Sequence, residues 1–440
     1  MTSSDVADHD LIGVGFGPAN LALAIAVHEH NHTAGQETVR AAFAERQPRF
    51  GWHRGMLLDG ATMQVSFLKD LATMRNPTSA FGFLPYLHER GRLVDFINHK
   101  TMFPTRLEFH DYLEWAAAQV RHDVHYGTAV RALRPLVGRD GTIAAVEVVA
   151  TDGRILGRTR NVVLGVGLQP HLPEGVHVSE RVWHSNDLLS RLGTLSRTRH
   201  DRFLVVGAGQ SAAEVVEYLH RTHPHAEICA VHSRYGYSPA DDSPFANRIF
   251  DPGAVDHFYD APDSVKQTLL AYHGNTNYAV VDIDLIDELY RRVYAERVSG
   301  RGRLRIMNMS RVVEVQRLPD GVRARVDGPG AGEPEFLHCD ALIFATGYRP
   351  ADLTPILGDL AGLCVTDDQG RLQLTRDYRV RTDPALRCGI YLQGGTEHSH
   401  GLSSSLLSNS AIRAGEILRS LLTGRNRREG KPADPRLAVR

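Results

Sequence analysis

Two glycine-rich turns, each between a short apolar run and a helical segment, constrain the fold of this chain most strongly. The first is GFGPAN at residues 15–20, and the second is GAGQSA at residues 207–212. In such turns the first glycine makes the tight bend, and the second lets the backbone approach a pyrophosphate held at the helix N-terminus. The third position is Asn20 in one turn and Ala212 in the other. We therefore predict an α/β fold with two Rossmann-like dinucleotide-binding domains.

An acidic residue, Glu45, ends the strand that follows the first turn. A carboxylate there can accept hydrogen bonds from an adenosine ribose, although a solvated strand-end carboxylate explains the residue equally well. The segment ATGY at residues 345–348 follows a buried-strand run after the second turn. Flavin plus nicotinamide is the economical pair of dinucleotides, because hydride must pass from one ring to the other. We assign the flavin to the first turn and the nicotinamide to the second.

The order of the segments predicts a first domain that is interrupted by the second. Residues from about Ser238 to Arg297 change to a helical character, which indicates an inserted helical subdomain that binds the substrate. The residues after Thr423 are basic and poor in apolar side chains, which is typical of a flexible tail. The predicted limits are 1–195 and 337–423 for the FAD-binding domain, 196–336 for the NADPH-binding domain, 238–297 for the insertion and 424–440 for the tail.

Charge and composition exclude several classes of partner. Lys and Arg total 50 against 51 Asp and Glu, so the net charge gives no reason to expect nucleic acid or an anionic membrane as the partner. The first ten residues are polar and no stretch stays apolar long enough to span a bilayer. We therefore expect a cytoplasmic protein that binds a small molecule. The four cysteines are scattered and the histidines show no ligand cluster, so we expect neither a metal site nor a CxxC pair.

Eight ordered segments, spread over nearly the whole chain, carry a resemblance to a known family. They are VGFGPANLAL, MQVSFLKDLATMRNP, FPTRLEFHDYLEWA, VVGAGQSAAEV, DDSPFANRIFDP, NTNYAVVD, FATGY and HGLSSSLLSN. In these segments the chain resembles the bacterial and fungal ornithine N-hydroxylases of siderophore and related biosynthesis. The broader flavin monooxygenases and Baeyer–Villiger enzymes carry a Phe-x-Gly-x-x-x-His signature, whereas VSERVW precedes His184 here. The N-hydroxylase branch is therefore favoured.

The resemblance implies binding roles for residues along the whole chain. For FAD, together with Glu45, these residues are Gly15, Gly17, Pro18, Asn20, Trp52, His53 and Gln64, with Ser405, Leu406 and Leu407 closing over the isoalloxazine. For NADPH they are Gly209, Gln210 and Ser211, and our predicted NADPH site also includes Gly207 of the second turn, Arg234 and Asn277. For the amino-acid end of ornithine they are Lys69, Asn247 and Asn277, with Ser408 nearby. A lysine offers a point cation to a carboxylate, and asparagines supply both donors and acceptors to a zwitterion.

Each substrate residue also has a purely structural interpretation. Lys69 and Asp70 would form an exposed ion pair of little consequence. Asn247 would cap a helix, and Asn277 would belong to a simple turn. The serine run 403–405 would be a flexible polar loop.

The preference for NADPH over NADH rests on one position. A 2′-phosphate is usually selected by Arg or Lys beyond the second strand of the domain, and the family's position for it falls near Ser233 here. The adjacent Arg234 can serve that role, although it can equally be an ordinary surface arginine.

The resemblance also implies the reaction and the assembly. NADPH reduces FAD, dioxygen adds at the flavin C4a carbon, and the side-chain nitrogen of ornithine attacks the distal oxygen of that hydroperoxide. We expect no dedicated general base, because desolvation at the flavin end favours the neutral amine, whose ordinary pKa is about 10.4. The family implies a homotetramer.

Other functions remain open on the sequence. A lysine or diamine N-hydroxylase is the closest, because one methylene changes binding by only about 1–3 kcal/mol; a diamine enzyme would not need Lys69 for a carboxylate. A pyridine-nucleotide disulfide reductase also pairs two dinucleotide turns, although no CxxC is present. A noncatalytic flavoprotein that senses the nicotinamide redox state would bind both cofactors without amine-stimulated oxygen use.

Overall fold

The structure, a computed structural model, describes residues 6–33, 38–195, 200–330 and 333–428, except the side chains of 275–277 and 427–428. Its strands are β1 (Asp8–His9), β2 (Leu11–Val14), β3 (Ala41–Ala44), β4 (Asp123–His125), β5 (Val130–Val137), β6 (Ile143–Ala150), β7 (Ile155–Thr159), β8 (Asn161–Leu164), β9 (Leu168–Pro170), β10 (Val182–His184), β11 (Arg202–Val206), β12 (Glu227–Val231), β13 (Leu304–Met307), β14 (Arg311–Arg317), β15 (Val322–Asp327), β16 (Glu335–Cys339), β17 (Ala341–Phe344), β18 (Tyr348–Pro350) and β19 (Gly389–Leu392). Its helices are α1 (Pro18–Thr33), α2 (Phe83–Glu89), α3 (Leu93–His99), α4 (Arg106–Gln119), α5 (Leu188–Leu192), α6 (Gln210–Thr222), α7 (Pro252–Asp260), α8 (Asp263–Asn277), α9 (Ile283–Ser299), α10 (Thr354–Leu357), α11 (Glu397–His400) and α12 (Ser410–Arg428).

Two five-stranded parallel sheets organise the chain. The first has the strand order β19-β8-β2-β3-β4, and the second has the order β10-β17-β11-β12-β13. Helix α1 joins β2 to β3 and helix α6 joins β11 to β12, so each glycine-rich turn lies between a strand and its crossover helix. Parallel sheets covered on both faces need strands that are apolar throughout, which is why β2 and β17 are unbroken apolar runs. The predicted α/β fold with two Rossmann-like domains is confirmed.

The largest core of the first sheet forms around α1. Residues 21–27 of this helix are all buried, because the sheet covers one side and α12 and α4 pack on the others. A helix covered on all sides is apolar all round. The start of α1, where the first glycine-rich turn ends, is therefore fixed by packing along the rest of the helix.

The chain passes from the first sheet to the second through one short segment and returns through another. These segments, β9 and β18, pair antiparallel with each other. Two smaller sheets flank the large ones: β1-β7-β6-β5 beside the first, and β14-β15-β16 beside the second. The junction between the two Rossmann-like sheets is thus the β9–β18 ribbon.

The observed sheets differ from the predicted domain limits. Strands β10 and β17, which the limits 1–195 and 337–423 assigned to the FAD-binding domain, pair within the second sheet. Helix α9, assigned to the insertion 238–297, packs against α6, and its Leu289 lies in the core of the second sheet. Helix α9 is therefore the crossover from β12 to β13, and the inserted part is shorter than predicted. Composition identifies a buried strand but not the sheet it joins.

The predicted tail also begins too early. Helix α12 continues to Arg428, so residues 424–428 are helical. The helix extends because Leu418, Leu421 and Leu422 are buried in the same core as α1. Residues 429–440, the rest of the predicted tail, lie outside the described residues. Within the described part of the chain, no helix combines the length and apolar character that a membrane span requires.

Candidate cofactor and substrate site

The two glycines of the first turn have different surroundings. Gly15 has φ +83°, and a Cβ there would lie 2.4 Å from the carbonyl oxygen of Gly165. A Cβ on Gly17 would meet nothing within 4 Å. The first glycine is therefore required by the close approach of the chain after β8, whereas the second leaves open space just before Pro18 begins α1. An open space bordered by the first amides of a helix suits a pyrophosphate.

Asn20, at the third position of this turn, faces away from that open space. Its side chain is fully buried, and Nδ2 donates to the carbonyl oxygens of Gly15 at 2.7 Å, Val14 at 3.3 Å and Val163 at 3.4 Å. The amide thus ties the turn to the ends of β2 and β8. Asparagine replaces glycine here because its side chain holds the turn from inside the protein.

Glu45 is buried next to the first turn. Only 5% of its surface is exposed, and its carboxylate accepts hydrogen bonds from the amides of Phe16 at 2.7 Å and Gln47 at 2.8 Å. The interpretation as a solvated strand-end carboxylate is therefore wrong. Each carboxylate oxygen retains a further lone pair, so the residue can still accept from a ribose hydroxyl.

Trp52 and His53 lie where the two sheets meet. The rings of Trp52 and His53 are 4.7 Å apart, and His53 lies 5.9 Å from Tyr348, which begins the returning strand β18. His53 has φ +48°, which is unusual for a residue with a side chain. Burial, and then the charges of Arg106 and His184, lower the pKa of His53 to about 4. The ring is neutral near pH 7.

The loop that carries Gln64 and Lys69 is held by its own aspartate. Asp70 is 2% exposed; Oδ1 accepts from the amide of Thr73, and Oδ2 accepts from the amide of Phe83. Lys69 is half-buried and forms no ion pair or side-chain hydrogen bond with any described residue, while Gln64 is exposed. The interpretation of Lys69 and Asp70 as an exposed ion pair is therefore wrong. The donors of the Lys69 ammonium are available to another partner.

The serine run near the C-terminus is a packed turn. Residues 402–405 form a 3-10 helix in which Ser403 and Ser404 are almost completely buried. The hydroxyl of Ser405 accepts a hydrogen bond from the amide of Gly395 at 3.1 Å. The interpretation as a flexible polar loop is wrong, because these contacts fix the segment.

The residues that follow connect this turn to the inserted segment. Leu406 and Leu407 are half-buried, and Ser408 is 2% exposed. The hydroxyl of Ser408 has no hydrogen-bond partner among the described residues, although a buried hydroxyl normally has one. Next to it, Nδ2 of Asn409 donates to the carbonyl of Phe250. The orphaned hydroxyl fits a ligand that is held between the two segments.

Asn247 lies on the insertion side of this contact. It belongs to the 3-10 turn of residues 246–250, and its Nδ2 donates to the carbonyl of Asp242 at 2.7 Å. The residue is inside the turn and does not cap it, so the helix-cap interpretation is wrong. Asn277 ends α8 rather than a simple turn, and its side chain lies outside the described residues.

The second glycine-rich turn shares with the first a close approach at its first glycine, but a Cβ on its second glycine, Gly209, would lie 3.2 Å from Cα of Ala279. Gly207 has φ +147°, and its Cβ would lie 2.3 Å from the carbonyl oxygen of Ala345, which follows β17. Gly209 precedes α6 in extended conformation. The side chain of Gln210 is engaged by the protein, because its Oε1 accepts from the amide of Asp282 at 2.8 Å. The turn is thus joined to the start of α9.

Arg234 is partly occupied by contacts within the protein. Its Nη1 donates to the carbonyl of Ala279 at 2.9 Å and is 3.4 Å from the hydroxyl of Ser238. Arg234 is half-buried, Ser233 is exposed and Ser211 is half-buried on α6. Arg234 is therefore not a free surface arginine, and the rest of its guanidinium can still donate to a phosphate.

A family model for L-lysine 6-monooxygenase/L-ornithine 5-monooxygenase matches residues 7–350. The chain belongs to this family. An L-ornithine N(5)-monooxygenase of Burkholderia cepacia is 42% identical over 401 residues, which are 89% of each chain.

Solved structures of this monooxygenase family agree with that assignment. The ornithine N-hydroxylase of Kutzneria sp. 744, whose structure is described with reduced FAD, NADP⁺ and L-ornithine, is 49% identical with a TM-score of 0.90. The alignment covers 96% of this chain and 100% of that one. The L-lysine 6-monooxygenase of Pseudomonas syringae is 32% identical with a TM-score of 0.82, over 94% and 99% of the two chains.

The cysteines of this monooxygenase do not resemble a redox pair. Burial raises the pKa of both Cys229 and Cys339 to about 12, and each lies in the core of the second sheet. A reactive thiol usually has a lowered pKa. The sequence contains no CxxC and the chain belongs to the monooxygenase family, so the disulfide reductase alternative is wrong. Among the described residues, no group of three His, Cys, Asp or Glu side chains is arranged to hold a metal ion.

A buried ion pair that was not predicted from the sequence joins the two halves of the monooxygenase. Arg106, the first residue of α4, donates two hydrogen bonds to Glu214 of α6 at 2.8 and 2.7 Å. The side chain of Glu214 is 5% exposed, and it also accepts from Gln210. A glutamate inside the apolar run AAEVV was the signal available in the sequence, because a buried carboxylate needs a partner.

Two histidines with lowered pKa values make the stability of the folded monooxygenase depend on pH. Burial lowers the pKa of His53 to about 4 and that of His400 to about 3, whereas an unfolded histidine has a pKa of about 6.5. Below about pH 6.5 the unfolded chain therefore binds more protons, and each histidine lowers the free energy of unfolding by about 1.4 kcal/mol per pH unit until its folded pKa is reached. Urea unfolding of the apoprotein at about pH 7 and about pH 5 will measure this loss. A His400→Gln variant is expected to lose less over the same interval; an equal loss would contradict the assignment to His400.

Proposed function

We propose that this chain is an L-ornithine N5-monooxygenase that uses FAD, NADPH and dioxygen and supplies N5-hydroxyornithine to a hydroxamate, such as a siderophore, or a related product. The observation that carries the proposal is Lys69, a half-buried cation without an ion-pair partner among the described residues, on a loop fixed by Asp70. An ammonium held in this way is poised to pair with the carboxylate of an amino acid. Membership of the family supports the reaction class.

The first sheet is proposed to hold FAD. The open space at Gly17 and the carboxylate of Glu45 would receive the pyrophosphate and ribose, with Pro18 and Asn20 shaping the turn. Trp52, His53, Gln64 and Ser405 to Leu407 would surround the isoalloxazine. When bound, FAD supplies hydride acceptance and oxygen activation. The chain's own contribution is to orient the ring and exclude water around it.

The second sheet is proposed to hold NADPH. The turn at Gly207 and Gly209, with Gln210 and Ser211 at the start of α6, would receive the pyrophosphate. Arg234 would donate to the 2′-phosphate, and Asn277 would contact the cofactor and the substrate. The β9–β18 ribbon and the Arg106–Glu214 pair join this sheet to the first.

The substrate is proposed to bind between the loop of Lys69 and the segment of Ser408. Lys69 would take the carboxylate, while Asn247, Asn277 and Ser408 would bind the amino-acid end. This leaves the side-chain amine at the flavin. Burial there favours the neutral amine, so no residue need act as a base.

The experiment that tests this function is product identification by mass spectrometry. Purified enzyme is incubated with FAD, NADPH and air, separately with ornithine, lysine and cadaverine, while peroxide is assayed in parallel. We expect a gain of one oxygen on ornithine alone. Oxygen gained on lysine or cadaverine instead would contradict the substrate, and cofactor binding without amine-stimulated oxygen use would indicate a redox sensor.

We expect Arg234→Ala to weaken the preference for NADPH over NADH. Removing a hydrogen bond from a charged group costs about 1.5–3 kcal/mol, so kcat/KM for NADPH falls about 10- to 100-fold while that for NADH hardly changes. Steady-state kinetics with both nucleotides measures this. A matched variant, Arg248→Ala, removes an exposed arginine of the insertion and is expected to leave the ratio unchanged; an unchanged ratio in Arg234→Ala would assign the selection elsewhere.

We propose that the enzyme is a cytoplasmic homotetramer. An exposed stripe on α9, consisting of Tyr290, Tyr294 and Val298, supports a contact with a second copy, since these side chains are 63–73% exposed and lie on one helix face. The Tyr294→Glu variant is expected to dissociate the assembly to a smaller species in light scattering coupled to gel filtration. An unaltered tetramer would remove α9 from the interface, and a wild-type monomer would overturn the tetramer itself.

A further inference from the structure

Arg413, in the first turn of α12, is a buried cation whose hydrogen bonds all go to neutral groups. The side chain is 2% exposed. Nε donates to Oε1 of Gln393 at 3.0 Å, Nη1 donates to the carbonyl of Ser404 at 2.6 Å, and Nη2 lies 3.4 Å from the hydroxyl of Ser410. The guanidinium is therefore fixed at three points.

No acidic residue in the described part of the chain forms an ion pair with Arg413. Glu416, one turn further along α12, is engaged by both Nη atoms of Arg376 at 3.1 and 3.0 Å, and Arg376 also binds Asp256. The ring of Tyr378 lies 6.0 Å from the guanidinium carbon of Arg413, at the limit of a cation–π contact. A buried charge normally has an opposite charge bonded to it, whereas Glu416 acts on Arg413 only through space while its carboxylate binds Arg376.

Two of the three anchors of Arg413 lead to the walls of the proposed FAD site. Ser404 directly precedes the segment 405–407. Gln393 follows β19, and its Nε2 donates at 3.0 Å to the carbonyl of Ala19 in the first turn of α1. Gly394, the next residue, has φ +110°, and a Cβ there would meet nothing within 4 Å. The guanidinium of Arg413 thus connects the first turn of α1, the backbone after β19 and the segment 405–407.

Three buried hydroxyls of the same region add an independent observation. Thr396, Ser404 and Ser408 are each at most 2% exposed, and their hydroxyl oxygens have no hydrogen-bond partner among the described residues. Orphaned polar atoms of this kind indicate that a polar ligand completes the site. The region around Arg413 therefore contains three hydroxyls without a hydrogen-bond partner, and the guanidinium has no carboxylate bonded to it.

We propose that Arg413 is a positioning residue for FAD, which holds the two walls of the flavin site together and supplies the positive charge that offsets the negative charge the flavin gains on reduction. This inference rests on the proposed function, since it requires that FAD binds at the first sheet. It assigns a role to a residue whose connection to the proposed FAD site runs through Gln393 and Ser404. The expected consequences are tighter FAD binding and a higher reduction potential of the bound flavin.

The test compares Arg413→Lys with Arg413→Gln in the full-length protein. FAD affinity is measured by fluorescence titration of the apoprotein, and the midpoint potential of the bound flavin by equilibration with redox dyes. We expect Arg413→Gln to weaken FAD binding at least 10-fold and to shift the potential to more negative values. Arg413→Lys keeps the charge and is expected to keep the potential, while FAD binding weakens because the three-point contact is lost. Equal potentials in Arg413→Gln and wild type would overturn the electrostatic role.

A second pair of variants preserves the arginine in case its replacement prevents folding. Ser410→Asp places a carboxylate beside the guanidinium, and Ser410→Asn is the neutral control of similar size. We expect the potential of Ser410→Asp to be more negative than that of Ser410→Asn, and identical potentials would overturn the proposal. Wild-type protein that does not bind FAD would instead refute the proposed function, so the two failures are distinguishable.

Discussion

Replacing Lys69 with alanine should raise the KM for ornithine about 100-fold or more while NADPH oxidation continues and releases peroxide. Truncating one partner of a buried charge pair costs about 2–5 kcal/mol, largely because the other charge is left unpaired. The structure explains why Lys69 is available to a substrate carboxylate: Asp70 turns its own carboxylate inward, and the Lys69 ammonium forms no ion pair with any described residue. Oxygen uptake, peroxide formation and hydroxylated product, measured together over a range of ornithine concentrations, will separate binding from flavin reduction.

Two further variants control this experiment. Lys69→Arg keeps the charge and is expected to recover part of the affinity. Lys100→Ala removes an exposed lysine at the end of α3 and is expected to change nothing. If Lys69→Ala bound ornithine as wild type does, the assigned carboxylate contact would be wrong, and equal activity on a diamine would identify a substrate without a carboxylate.

The second large effect is expected at the first glycine-rich turn. There Gly15→Ala should lower the stability of the protein, whereas Gly17→Ala should weaken FAD binding. At Gly15 a methyl group would lie 2.4 Å from a backbone oxygen and the φ of +83° disfavours any side chain. Strain and overpacking together are expected to lower the free energy of unfolding by about 2–4 kcal/mol, even without FAD. At Gly17 the methyl group meets nothing within 4 Å, so the apoprotein should keep its stability within about 0.5 kcal/mol.

The effect of Gly17→Ala is expected on FAD binding and not on the stability of the apoprotein. The methyl group would point into the space that the pyrophosphate is proposed to fill, and FAD affinity is expected to fall about 10-fold or more. Urea unfolding of the apoproteins and titration with FAD measure the two effects separately. Gly153→Ala is the matched control for backbone strain alone, because Gly153 has φ +87° but open surroundings. Normal FAD binding by Gly17→Ala would show that the pyrophosphate lies elsewhere.

Local features of the site were predictable because they depend on residues adjacent in the chain. A strand that leads into Gly-x-Gly and a helix specifies its turn within six residues, and both turns have the predicted order of elements. The acidic residue at the end of β3 was also predicted, since it follows the first βα unit directly. Its burial was not, because the amide of Phe16 approaches Glu45 only after the sheet has formed.

Features that join distant parts of the chain could not be predicted. The limits of the two domains were misplaced because the apolar sequence of β17 is compatible with a buried strand in either sheet. Only its pairing with β11 assigns it to the second sheet. The same applies to Arg106 and Glu214, whose ion pair crosses between the two halves. The glutamate within AAEVV indicates that a partner is needed, but nothing in the sequence identifies that partner as Arg106.

The sequence by itself determined the two dinucleotide turns, the α/β class and the family, because glycine spacing and apolar runs act over a few neighbouring residues. Only the tertiary structure decided which strands share a sheet, that the Asp70 carboxylate turns away from Lys69, and that Arg413 is buried with hydrogen bonds to neutral groups alone. The physical reason is that burial and charge pairing depend on residues brought together from all parts of the chain. The sequence of a single segment therefore does not reveal them.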